Sequence, residues 1–412
     1  MTTKPVINKH FPGRSLVASV ALGAGLLLGS AGTSAIAEEH FEWPAYFNII
    51  TPIVGTANHS LSVAWASEFS AETSSRARVL PSPNGYSRAS WLETGEGRLY
   101  MVQASDYFDQ MDATEGFASR TAGPADTRLL NVNMVTPWGY MVRGDSDIES
   151  IHDIGPGTRI AYTSSSSFLL AGIDALLEYL ELDHDDVRLV ETGNFGANTS
   201  VVVEGRADVT FTSPLSGPTY EAEAGPNSIR WLELPEEDAD PEAMARFRQI
   251  HNGYIARSTE AGVSTAHGVN MDHAFQANHV RGDEDEEFVY QLIRWMDENH
   301  SEYEDAFTHA HMMTIENLVQ FLEIGALQPL HEGAIRYLEE LGHWTDEFQR
   351  RQDQLVDLAQ ERERLYREAL DMATEQGIST QSDNAEWREF WESHRAENGH
   401  AEPFGLMVMN LD

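Results

Sequence analysis

A chain of 412 residues with 41% hydrophobic and 9% aromatic content holds enough apolar mass for two or three packed domains. Asp+Glu of 66 against Lys+Arg of 27 leaves a formal charge of −39, a field that repels nucleic acid and anionic membrane surfaces. The acids are spread along the chain and cysteine is absent, which excludes a disordered acidic tail, a disulfide framework and a thiolate nucleophile.

Lysine occurs only at Lys4 and Lys9, and every later cation is arginine. A lysine-poor acidic surface suits solubility at high salt, where screening removes much of the self-repulsion, so a salty exterior is the expected setting. Residues 1–37 read as a secretory signal peptide: Lys4, Lys9 and Arg14 form a positive start, Leu16 to Leu28 an apolar run, and Ala35-Ile36-Ala37 a cleavage motif. Loss of those three cations would take the charge from −39 to −42. No later stretch is apolar and long enough to span a bilayer. A soluble periplasmic protein without direct membrane insertion is expected.

After the leader, Phe47 to Ile50 reads as a strand and Leu61, Ala64, Trp65 and Phe69 as one face of a helix. Val79-Leu80 begins a second extended piece, a helix follows around Ala89 to Leu92, and Leu99 to Val102 reads as a buried strand leading into another helix. Val132 to Val142 is a long extended candidate, interrupted only by Pro137 and Gly139, that could cross between lobes. The pattern restarts at Ile148 to Ile154 and continues with the strand Arg159 to Tyr162, a serine turn and a helix from Phe168. Val187 to Val190, a helix from Asn198 to Glu204, Ala207 to Thr212 and Ile229 to Leu234 follow. Ile250 to Val269 reads as extended, and from Glu284 the chain is mostly helical. Strands alternating with helices predict an α/β class with a largely parallel sheet.

Several of these segments carry a resemblance. Val102-Gln103-Ala104-Ser105-Asp106, the run Met141 to Ile148, Ile151-His152-Asp153-Ile154 before Gly157-Thr158-Arg159-Ile160, Val203 to Val209, Ser216-Gly217-Pro218 and Pro329 to Tyr337 occur in order. Across Phe47 to Gly342 the chain resembles the TAXI-type extracytoplasmic solute-binding subunit of tripartite ATP-independent periplasmic (TRAP) transporters. The resemblance implies a two-lobe periplasmic-binding-protein (Venus-flytrap) fold with hinge strands, a small organic anion (carboxylate or amino acid) between the lobes, and docking on a TRAP membrane permease. On that basis residues 46–137 are the first part of lobe 1, 138–249 lobe 2, 250–342 the return to lobe 1, and 343–412 a C-terminal helical extension. That extension either braces lobe 1 or offers a docking or dimer surface, the chain being a monomer or weak dimer.

The sequence departs from the family in two places. Family members carry a glycine-rich loop with a tyrosine pair after the first strand; here only Gly55 and Thr56 match it, with Asn58-His59 where aromatics are expected. The family's Ser-Gly-Thr turn is replaced by Ser164-Ser165-Ser166-Ser167, which loses the glycine that permits close backbone approach.

In α/β lobes a ligand sits beyond the carboxyl ends of strands, which selects Thr56, Asn58, His59, Gln103, Ser105, Ser164, Ser165, Ser166, Ser167, Phe168 and Ser213. The serine turn either holds a carboxylate with hydroxyls and first-turn N–H groups or simply caps its helix. Gln103 either meets the ligand or ties two loops, and Asn58-His59 either set selectivity or lie on the surface. Arg143 and Arg159 read as structural ion-pair partners. His309-Ala310-His311 has a spacing that would part the rings on a helix, so neither metal nor cofactor is expected. Phosphate loops, nucleophile elbows and HExxH patterns are missing, so an enzyme is disfavoured; a ligand-sensing subunit for a membrane receptor is the alternative, and a secreted enzyme on the same scaffold a lesser one.

Overall fold

The computed structural model describes residues 41–54, 56–82, 84–163, 167–236 and 239–411; the expected signal peptide and Ser164 to Ser166 lie outside them. The first stretch contains β1 (Tyr46–Thr51), α1 (Ala57–Glu72), β2 (Arg76–Pro81), α2 (Gly85–Glu93), β3 (Leu99–Gln103), α3 (Ala104–Asp112) and the 17-residue β4 (Thr127–Arg143). Next come β5 (Arg159–Tyr162), α4 (Ser167–Tyr179), β6 (Arg188–Glu191), α5 (Phe195–Val203), β7 (Val209–Thr212), α6 (Gly217–Glu223), β8 (Ile229–Leu232) and α7 (Pro241–Ile250). The chain then forms β9 (Ile255–Ser258), β10 (Asn270–Arg281), α8 (Glu286–Glu298), α9 (His300–Tyr303), α10 (Ile315–Glu323) and α11 (Glu332–Glu340). It ends with α12 (Asp346–Gln376), α13 (Ala385–Glu397) and α14 (Phe404–Met409).

This is a mixed α/β fold around one sheet of order β2-β1-β3-β10-β4-β7-β5-β6, with β8 on β4 and β9 on β10. The flanks are parallel: β1 pairs with β2 and β3, and β5 with β6 and β7. The centre is antiparallel, with β10 running against both β3 and β4. β4 changes partners along its length. Up to Trp138 it pairs with β10, and from Gly139 onward with β7 and β8. Pro137, which has no N–H to donate, sits just before that handover, where a lost ladder bond is tolerated.

The flanking helices cover the sheet with apolar stripes. Phe69 of α1 meets Phe47 and Trp295 edge-on at 5.4 and 4.9 Å, joining α1 to β1 and α8. Around α4, Leu169, Ile173, Leu176 and Leu177 pack with Tyr140, Phe211 and Phe247 in a second core. The C-terminal helices pack on α3 and the turn after it: Trp387 and Trp391 are buried with Tyr366, Leu365, Ala113 and Ala118. Their indoles donate to the carbonyls of Ala118 and Asp112, and buried Arg362 pairs with Asp112 at 2.8 Å.

Four sequence expectations are corrected, the first being the largely parallel sheet, since every strand pairing of β4 and β10 is antiparallel. Ile148 to Ile154 forms no strand; Ile151–Asp153 is a 3-10 turn, closed by a capping box between Ser150 and Asp153. The extended run over 250–269 is instead the end of α7, the four-residue β9 and a 3-10 turn at Ser264–Ala266. The long strand lies later, at β10, whose polar residues Asp272, His273, Asn278 and His279 are all buried and hide the apolar pattern. His309 and His311 belong to a 3-10 turn rather than a helix.

Candidate functional site

The strands of both flanks end toward the central β10–β4 pair, and the polar residues at those ends define the candidate site. At the end of β1, the Thr56 hydroxyl accepts from the His59 N–H and caps α1. The His59 Nδ1 is 2.9 Å from the Thr51 hydroxyl, so this half-buried ring is tied to the strand end. Asn58 is 3% exposed and its Oδ1 has no partner.

Gln103 ends β3 directly opposite Gln276 of β10, and its side chain does not cap α3. Gln276 donates from Nε2 to the buried Thr136 hydroxyl of β4 at 3.3 Å, while its Oε1 is buried without a partner. Gln276 and Thr136 escape sequence reading because a strand of buried polar residues has no alternating apolar signature; the only signal is an amide within Ala274-Phe275-Gln276-Ala277.

On the other flank, Phe168 in the first turn of α4 meets Trp138 of β4 edge-on at 4.6 Å, and Trp138 stacks on Phe211 at 5.9 Å. The Trp138 Nε1 is buried without an acceptor. Ser213 is buried, and its hydroxyl accepts from the Leu215 N–H, so it serves a turn. The neighbouring Thr212 hydroxyl is buried and unpartnered, opposite Gly139 of β4. Arg143 and Arg159 are held in ion pairs with Asp145 and Asp208, each at 2.5 Å.

Behind Phe168 lies a buried ionic triad. Asp272, opposite Trp138, accepts from Arg248 at 2.9 and 3.1 Å and from His251 Nδ1 at 2.8 Å. Burial alone would raise the Asp272 carboxyl, but Arg248 and His251 outweigh it and hold it at about 2. His251 stacks on Tyr254 at 4.0 Å, and Phe168 packs near both rings. Gly253, at φ 74°, permits this turn: a Cβ there would lie 1.9 Å from the Phe108 ring.

A cavity of about 210 Å³ opens between α3, α4 and this turn, with Ser105, Asp109, Phe168, His251 and Tyr254 in its wall. Thus Ser105 and Phe168 meet at one cavity, and Gln103 is in register with Gln276. Thr56, Asn58 and His59 are grouped at the start of α1. Among the described residues no group of histidine, aspartate and glutamate could hold a metal, and no helix is long and apolar enough to cross a membrane.

The profile of the NMT1-like family matches residues 56–342. A search of curated proteins returns no match. Among solved structures the chain is similar to the periplasmic aliphatic sulphonate binding protein SsuA from Escherichia coli, at 15% identity and a TM-score of 0.39, over 77% of this chain and 88% of that one. It is also similar to MatC from Rhodopseudomonas palustris with bound malate, at 12% identity and a TM-score of 0.41, over 76% of this chain and 100% of the other. A TctC solute binding protein from Polaromonas is similar at 13% identity and a TM-score of 0.40, over 61% and 83% of the two chains.

Proposed function

This chain belongs to the NMT1-like family, and on that premise we propose that it is a periplasmic solute-binding protein. It captures a small organic anion between two lobes and delivers it to a TRAP permease. Lobe 1 comprises residues 46–137 and 250–342, lobe 2 residues 138–249, and β4 and β10 are the hinge strands. It carries out no covalent chemistry.

The observation that supports this reading is the set of buried, unpartnered polar atoms where strands of both flanks end: Asn58 Oδ1, Gln276 Oε1, Trp138 Nε1 and Thr212 Oγ1. Each unmade bond costs about 1–3 kcal/mol, and native interiors tolerate few of them without a reason. A solute with both donors and acceptors satisfies them together. The Trp138 and Phe168 rings supply an apolar wall beside them, as a binding cleft needs. Gln103, Ser105 and the Ser164 to Ser167 turn join them as binding residues.

A thermal-shift screen of dicarboxylates, keto acids, amino acids and sulfonates in high salt tests this. A bound solute at a hundredfold excess over its dissociation constant adds about 2.7 kcal/mol of stability. No movement of the midpoint with any of them would end the organic-anion reading. With a solute in hand, Gln276→Ala is expected to weaken binding about tenfold, while the unliganded protein melts near or slightly below its original temperature, the lost bond to Thr136 being offset in part by removal of an orphaned acceptor. Delivery is tested by gene context and uptake: a TRAP permease gene beside this one, whose deletion stops accumulation of that solute, is the expected result, and a sensor-kinase neighbour with no permease would end the delivery reading.

A further inference from the structure

We infer that the cavity between α3, α4 and the 251–254 turn is a subsite for a protonated amine, so that the captured solute carries an ammonium group as well as an acid. This rests on the binding role proposed above. The inference starts from His251, which is 1% exposed and lines the cavity. Its Nδ1 lies 2.8 Å from Asp272 Oδ2, and that carboxylate can only accept; the proton is therefore on Nδ1. In the neutral ring Nε2 is then a bare acceptor, and it is buried without a partner. The triad also leaves no charge of its own to attract an anion, because Arg248 is spent on Asp272 in two bonds.

The remaining wall is rich in acceptors. Asp109, which accepts from the Thr114 hydroxyl through Oδ1, and Glu115 contribute carboxylates, and among the described residues no arginine lines the cavity. Burial, and next the charge of Asp106, push Asp109 up to about 7, the position of a carboxylate that lacks a counter-ion. Ser105 and Tyr254 also stand in the wall, with hydroxyls that can accept as well as donate. Phe168 and Tyr254 add aromatic faces, which attract a cation. An ammonium group donates to His251 Nε2 and Asp109 at once, relieves the uncompensated charge, and rests against the rings. A carboxylate would face two carboxylates and a lone pair.

Titration calorimetry of the full chain with two matched series tests this: propanoate, lactate and alanine, then succinate, malate and aspartate. Within each series only the hydroxyl or amine changes. The expected result is that the amino member of at least one series binds about tenfold or more tightly than its hydroxy and unsubstituted counterparts, the range for charge-assisted bonds. Asp109→Asn should bring that ratio close to one, and His251→Phe should reduce it if circular dichroism shows that the variant folds. Binding without an amine preference in both series overturns the amine subsite and leaves the binding role intact. Failure of every acid in both series, alanine and aspartate included, overturns the amine subsite and leaves the binding role to be decided by the wider screen with keto acids and sulfonates. An amine preference that Asp109→Asn leaves unchanged overturns the location.

Discussion

Asp272 couples three segments, since it stands in β10, takes Arg248 from α7 and His251 from the turn beyond, and faces Trp138 in β4. Both Arg248 and Asp272 have side chains no more than 2% exposed, so breaking the pair strands a buried charge. Asp272→Asn is expected to cost about 3–5 kcal/mol, measured by urea unfolding, whereas Asp272→Leu with Arg248→Met should recover most of that loss. A cost below about 1 kcal/mol for the single change would show the triad to be dispensable. Sequence reading reached Gln103, Ser105 and Phe168 from their positions after strands, a local property of strand-to-helix turns. It could not reach Gln276, Thr136 or His251, because what makes them site candidates is a partner or an unmet bond more than a hundred positions away or across a turn.

At the scale of elements, β10 is the clearest disagreement between pattern and fold. Its buried asparagines and histidines find polar partners: Asn278 donates to Asn131 and Asn133 within the sheet, and the His279 Nε2 lies 2.8 Å from Oε1 of Gln328 in the segment before α11. Polar residues that satisfy one another across strands bury as well as apolar ones, yet hydropathy cannot see the pairing. This strand also governs acid sensitivity. Burial holds His273 at about 4, helped by the Arg257 charge, and burial holds His279 at about 4 against the Gln328 bond. Unfolded histidines titrate near 6.5, so between about 6.5 and 4 the unfolded chain binds protons that the folded one does not. Stability is therefore full above pH ~6.5 and falls on acidification through that window, by about 2–3 kcal/mol per histidine. Asp109, raised to about 7 by burial, and Asp112, also raised by burial, work in the opposite direction, while burial lowers His251, His309, His331 and His400 alongside the two histidines of β10. Melting curves across this range should show the fall, and His279→Gln should reduce it by that residue's share, about 2–3 kcal/mol. An unchanged slope in that variant would exclude His279 as a cause.

Over the whole molecule, the acidic excess and the long C-terminal helices set the terms. A formal charge of −39 on this chain implies repulsion that salt relieves, since the screening length shrinks from ~10 Å at 0.1 M to ~3 Å at 1 M. The melting midpoint should climb by several degrees between those concentrations of sodium chloride; a flat or falling midpoint would contradict the salt-adapted reading. Composition sufficed for that expectation because net charge needs no coordinates. Local order sufficed for β1, β3, β5 and their following helices, whose apolar spacing reports burial directly. In the same way the helical character of residues 343–412 was legible, but only the fold seats Trp387 and Trp391 beside α12 and the end of α3. The partner exchange of β4, the placement of β10 at the centre, and the meeting of Ser105, Phe168 and His251 at one cavity depended on contacts distant in sequence. Such contacts arise from packing and mutual bond satisfaction across strands, so the tertiary structure decided them where the sequence determined class, charge and the local strand-to-helix turns.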